Sequence, residues 1–214
     1  MRISELSKRT GVSTASIKYY TREGLLPAGK HTGYNSTQYS ETHVARLRLI
    51  RALIDSGGLS VAATGRVVAA IDDPATPLPK VFGVAQQAIP QDTAPPSESS
   101  LDLVREVMRE RGWTTVAENP GLTLTASVVD DLARTGHTEM IEQLPRYAEA
   151  MDLIAEADLD AVTGGDRDWS AETVVVGITL GDPLLAGLRR IAQESHTHRR
   201  FNDGVVPTEN PEPT

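Results

Sequence analysis

The punctuation of the first forty residues constrains this 214-residue chain more than any bulk property does. Ile3 and Leu6 lie three apart around Ser4, a residue able to cap a short helix, and Thr10-Gly11-Val12 ends that helix with a glycine suited to a tight turn. A second helix is predicted at once. Ser13 is its natural N-cap, Ile17 and Tyr20 share its inner face, and Gly24 closes it ahead of Leu25-Leu26-Pro27. Two short helices around a glycine-bearing turn make a helix-turn-helix, whose second helix is shaped to enter a major groove. Lys18 and Arg22 lie four apart on that helix, and the glycine-rich polar stretch 28–39, with Lys30, Tyr34 and Tyr39, reads as a wing.

Two further helices complete this head. Ser40 is placed to cap an amphipathic helix with Val44, Leu47, Ile50 and Ile54 inward and Arg46, Arg48 and Arg51 outward, closed by Gly57-Gly58. His43 stands where a capping-box carboxylate usually sits and reads as ordinary helix surface. Ser60 caps the next helix, which carries Val61, Val68 and Ile71 and stops at Asp72-Asp73-Pro74, because proline disfavours helix in the residue before it.

Charge separates the head from the rest. The net charge of −8 argues against a nucleic-acid partner until the chain is divided. Residues 1–80 hold 11 Lys and Arg against 6 Asp and Glu, a net +5, and the remainder carries −13. A basic head on an acidic body suits a protein whose head alone faces phosphates. The chain has no cysteine, which excludes disulfides, thiolate metal sites, iron–sulfur clusters and thiol catalysis. Neither a signal-like N-terminus nor a run of about 20 apolar residues is evident, so a cytoplasmic protein without a membrane partner is expected.

These residues carry a resemblance. The run from Ile3 to Ser13, then Ile17-Lys18-Tyr19-Tyr20-Thr21-Arg22-Glu23-Gly24-Leu25-Leu26-Pro27, the wing pair Gly33-Tyr34, and Arg46-Leu47-Arg48-Leu49-Ile50 ahead of Gly57-Gly58-Leu59-Ser60 resemble the head of MerR-family transcriptional regulators. The resemblance implies a dimer on a roughly palindromic promoter, one recognition helix per half-site, wings on the flanking backbone, and DNA distortion at a promoter engaged by RNA polymerase. Carried over residue by residue, it makes Ser13, Thr14, Ser16, Lys18, Tyr19 and Arg22 the helix contacts, and Tyr34, Asn35 and Tyr39 the wing contacts. Asn35 replaces the arginine usual after the wing Gly-Tyr, and the spacer to Tyr39 is longer than usual. Tyr20 is expected in the core, and Tyr19 can serve either purpose.

The long dimer helix that such a head normally leads into is not evident. Pro74, Pro77 and Pro79 crowd its start, a helix near 80–89 follows, and residues 90–100 have linker composition. Helical periodicity resumes over 101–111, 123–135, 139–161, 171–180 and 183–195, with residues 173–178 read as buried helix despite their β-branched run. The expected class is all-α: a winged helix-turn-helix over 1–73, a proline-rich connector with a short helix over 74–100, a helical effector-binding and dimerisation domain over 101–200, and a disordered tail over 201–214.

No glycine-rich phosphate loop, ordered Ser/His/Asp set or helical metal motif points to an enzyme, and no cofactor or metal is expected. His196 and His198 read as solvated. What such a body can sense is a small organic effector, and Trp113, Met140, Tyr147, Met151 and Trp169 are the candidates to line its pocket. The alternative is an effector-independent DNA-binding protein whose C-terminal domain serves dimerisation or protein recruitment.

Overall fold

The computed structural model describes residues 1–33, 36–91, 93–116 and 119–201. Its first helices are α1 (Ile3–Thr10) and α2 (Thr14–Arg22), followed by a hairpin of β1 (Lys30–Gly33) and β2 (Ser36–Gln38). Ser13 caps α2 by accepting from the Ser16 N–H at 3.0 Å. Gly11 and Gly24 take φ of 70° and 77°, the left-handed region where a side chain would be strained. Helix α1 starts one residue before Ser4, and Arg2 rather than Ser4 is its N-cap. The cause lies upstream. The Met1 ammonium donates to the Tyr39 carbonyl at 2.8 Å, and the Tyr39 N–H donates to the Met1 carbonyl at 2.9 Å, so the N-terminus is already paired when the helix begins.

Helix α3 (Glu41–Arg51) runs into a π-helical turn (Ala52–Ser56), which the sequence periodicity did not indicate, and α4 (Val61–Asp72) follows, capped by Ser60. His43 is not mere surface. Its Nδ1 accepts from the Ser40 N–H at 3.1 Å, the task a capping-box carboxylate normally performs. Arg46 is likewise not outward: its side chain is 16% exposed and pairs with Asp72, linking α3 to the end of α4. The head core joins Leu6, Val12, Ile17, Leu25, Leu26, Val44, Leu47 and Ile50, all buried. Truncating one of its large members costs about 2–5 kcal/mol.

The remainder is helical: α5 (Leu78–Ala88), α6 (Glu98–Arg111), α7 (Pro120–Thr135), α8 (Thr138–Ile141), α9 (Leu144–Val162) and α10 (Arg167–Phe201). Among the described residues the fold is all-α apart from the wing. The predicted 139–161 helix is two pieces, because Pro145 sits in the first turn of α9, where proline opens a helix rather than continuing one. The two helices expected over 171–195 are one. Helix α10 runs 35 residues with Pro183 inside it, losing one backbone hydrogen bond there without breaking. Against the expectation that no stretch is long and apolar enough to cross a membrane, an 18-residue window of α10 reaches a mean hydropathy of 1.4, enough in length and composition to do so, and only 22% of it is buried.

Helix α10 crosses back to the head. Its Ala171, Val174 and Val175 are buried against Leu53 of the π turn, Val67, Val68 and Ile71 of α4, and Val81 and Ala85 of α5. Gly57 makes the close approach possible: a Cβ there would lie 2.0 Å from Thr179 Cγ2. A third, smaller core joins Val104 of α6 with Ala126 and Val129 of α7, flanked by Met108, Ile141 and Leu144.

Candidate nucleic-acid interface

Burial sorts the two tyrosines of α2. Ile17 is fully buried and Tyr20 packs against the head core, while Tyr19 is 37% exposed on the opposite side. Lys18 and Arg22 are exposed beside it. The Arg22 guanidinium sits 5.1 Å from the centre of the Tyr19 ring, a cation–π contact, and its Nε lies 3.3 Å from Glu23 Oε1. At the start of the helix Ser13 and Thr14 are exposed, and the Ser13 and Ser16 hydroxyls lie 2.8 Å apart. The outer face of α2 thus presents hydroxyls at its positive N-terminal end and cations along its length, a surface suited to phosphate oxygens and base edges.

The wing follows α2 in the chain. Lys30 pairs with Gln38, His31 with Thr37 and Gly33 with Ser36 in an antiparallel ladder, and Lys30 and His31 are exposed. Gly29 lets the strands close, since a Cβ there would meet Thr37 Cγ2 at 2.6 Å and the Gln38 carbonyl at 2.8 Å. Tyr34 and Asn35, the expected tip contacts, lie outside the described residues. Tyr39 is half-buried. Its ring meets His43 edge-on at 5.2 Å between centres, and its backbone holds Met1, so its visible work is to anchor the wing to the N-terminus.

Lys30 and His31 were missed as candidate contacts. A lysine in a glycine-flanked hairpin was the available signal. Arg9 is spent on an ion pair: its Nη1 and Nη2 lie 2.5 and 2.8 Å from the Glu41 carboxylate oxygens, and this pairing holds the Glu41 carboxyl below its ordinary value.

This arrangement has counterparts. A profile of MerR HTH family regulatory proteins matches residues 1–71. The crystal structure of SCO5550 from Streptomyces coelicolor A3(2), described as that of a transcriptional regulator, shares 33% identity and superposes with a TM-score of 0.65 over 96% of this chain and 100% of that one. Over residues 1–71 the chain belongs to the MerR family.

Two curated relatives match over shorter stretches. The HTH-type transcriptional regulator ZntR homolog of Haemophilus influenzae is 42% identical over 50 residues, which is 23% of this chain and 37% of that protein. The mercuric resistance operon regulatory protein of Bacillus cereus is 38% identical over 56 residues, 26% of this chain and 42% of that one. The match thus spans well under half the length of both curated relatives.

The body of this MerR-family chain gathers two of the five expected effector residues. Trp113 and Met151 line a cavity of about 470 Å³ with Val104, Met108, Leu122 and Asp152, between α6, α7 and α9. Trp113 Nε1 donates to Asp152 Oδ1 at 2.5 Å, and Arg111 pairs with the other carboxylate oxygen. These partners hold the Asp152 carboxyl below its ordinary value, the Arg111 hydrogen bond contributing most. Met140 on α8, Tyr147 one turn before Met151 on α9 and Trp169 in the first turn of α10 do not line it. Among the described residues no three His, Asp or Glu side chains are grouped as metal ligands would be.

Proposed function

We propose that the protein is a homodimeric promoter-binding regulator whose body takes a small organic ligand. The observation that carries it is the outer face of α2, where Lys18, Tyr19 and Arg22 lie exposed over a fully buried Ile17. On this reading residues 1–73 are the DNA-binding unit, with Ser13, Thr14, Ser16, Lys18, Tyr19 and Arg22 set in the major groove and the wing, through Tyr34, Asn35 and Tyr39, along the flanking backbone. Two heads read two half-sites, RNA polymerase is met at the same promoter, and the protein works in the cytoplasm, where that DNA is.

Residues 101–200 supply the response. The cavity beside Trp113 has the size, the apolar walls and the few polar groups of a small-molecule site. The test has two arms. Selection from a random duplex pool is expected to enrich a short sequence with two-fold symmetry, and no enrichment overturns the DNA reading. Thermal unfolding against a panel of apolar and amphipathic compounds is expected to find ligands that raise Tm, since a ligand of the native state stabilises by mass action. A flat panel removes the ligand from the reading and leaves a DNA-binding protein whose body serves dimerisation or recruitment.

A further inference from the structure

The cavity beside Trp113 has a neighbour. A second cavity, of about 450 Å³, is bounded by the end of α5, the start of α7, α9 and α10, and Gln86, Asn119 and Gly121 line both. Helix α9 supplies a common wall. Met151 and Ala155 line the first cavity and Asp158 the second, at spacings of four and three that set them along one side of the helix. From Met151 to Asp158 that wall rises about 10 Å.

The two cavities differ in charge. In the first, Asp152 is already engaged by Arg111 and by the Trp113 indole, so the groups left for a guest are neutral. Trp113, Met108 and Met151 there suit an apolar or aromatic end. In the second, Asp158 and Asp182 stand with no Lys, Arg or His among the described residues that line it. Both carboxylates are exposed. A cation reaches them while keeping part of its hydration, whereas an anion meets two uncompensated like charges.

Helix α10 leaves the second cavity open. Gly177 and Gly181 line it, four residues apart, and a Cβ at either would meet nothing within 4 Å. Glycine weakens a helix, and here neither close packing nor an unusual backbone angle calls for it. Space is what the two positions provide.

We propose that the two cavities form one cleft for an amphipathic organic cation, its apolar end beside Trp113, Met108 and Met151 and its ammonium at Asp158 and Asp182. This rests on the small-ligand reading above and names the class of ligand. The net charge of −13 over residues 81–214 acts in the same direction, because it concentrates cations near the body.

Three probes of one skeleton test it: phenylbutylamine, protonated at neutral pH, the neutral phenylbutanol and the anionic phenylbutyrate. The chain has two tryptophans, so in the W169F chain the emission of Trp113 alone reports binding. The amine is expected to shift that emission and to bind about 10-fold more tightly than the alcohol, the share of two partly exposed ion pairs. The acid is expected not to bind. Added salt should weaken the amine and not the alcohol. D158N/D182N is expected to bring the amine down to the affinity of the alcohol, whose own binding stays unchanged. G181L grows into the second cavity without meeting packed atoms, and is expected to weaken the amine by a similar factor while toluene, which needs only the first cavity, binds as before.

Equal affinity for amine and alcohol, or a D158N/D182N chain that holds the amine as wild type does, overturns the proposal and leaves the small-ligand reading standing. Calorimetric binding of the amine without a change in Trp113 emission, or with full affinity in G181L, puts the amine outside a shared cleft and likewise overturns it. If none of the three probes binds, the proposal falls; the small-ligand reading falls with it only if the broader thermal panel is flat as well.

Discussion

The Arg167 guanidinium donates to the Ile71 carbonyl oxygen at 2.7 Å, tying the first turn of α10 to the last turn of α4. It also donates to the Thr76 carbonyl at 2.8 Å and to that of Asp73, so one side chain serves carbonyls that a helix C-terminus leaves without partners. Arg167→Ala is expected to destabilise the protein by about 1.5–3 kcal/mol, the range for hydrogen bonds to a charged group. Urea unfolding checks it. Arg167→Lys should recover only part, because an ammonium cannot spread over the same set of oxygens.

Gly57 governs the same joint by size. Gly57→Ala keeps an accessible backbone, with φ of −84°, but drives a Cβ into Thr179 Cγ2 and to 2.8 Å from the Leu53 carbonyl. Overpacking of this kind costs about 1–3 kcal/mol. Adding Thr179→Ser removes the obstructing methyl but not the Leu53 carbonyl, and thermal melts of the double variant should show part of the loss restored. Equal melting temperatures for the single and double variants would show that the close approach is not the cause.

Asp130 gives the body a pH dependence. Its carboxylate accepts from the Ser100 hydroxyl, the Ser97 hydroxyl and the Ser97 N–H, each at 2.6 Å, which takes its pKa from 3.8 to about 2. A carboxyl depressed on folding stabilises the native state above its unfolded pKa, and that contribution is lost as pH falls through the folded one. The stability difference between wild type and Asp130→Asn is therefore expected to be constant above about pH 5 and to shrink between pH 4 and pH 2. Denaturation at a series of pH values measures it.

Lys18→Ala and Arg22→Ala are each expected to weaken binding to the selected DNA and to lower the slope of log K against log salt by about 0.9, the share of one phosphate contact. Fluorescence anisotropy at several ionic strengths reads both. Of the two, Lys18 should give the cleaner loss, because Arg22 is already engaged with Tyr19 and Glu23.

The head was legible because its instructions are local. Ser13, Gly11, Gly24 and Ser60 each act on their own turn, and the 3.6-residue rhythm of Val44, Leu47 and Ile50 announces a buried face. What escaped were decisions made across the chain. The early start of α1 comes from Tyr39, 38 residues away, and the inward turn of Arg46 comes from Asp72. Pro183 suggested a break that the packing of Ala171, Val174 and Val175 on α4 and α5 does not require. At the candidate sites, spacing separated Tyr20 from Tyr19 on α2. Composition alone could not tell that Trp113 and Met151 would line one cavity while Tyr147, one turn before Met151, would stay outside it.

Pro183 sits between Thr179, the last residue of α10 held in the core, and Leu184, where the free arm begins. With no N–H to give at that point, the helix has its softest joint there. The arm from Pro183 to Phe201 acts as the long side of a lever about 27 Å in length, so a change of 5° in bend carries its tip by about 2 Å. Held at its tip, such an arm passes the displacement the other way, into the α4–α5 core against which the first turns of α10 are buried.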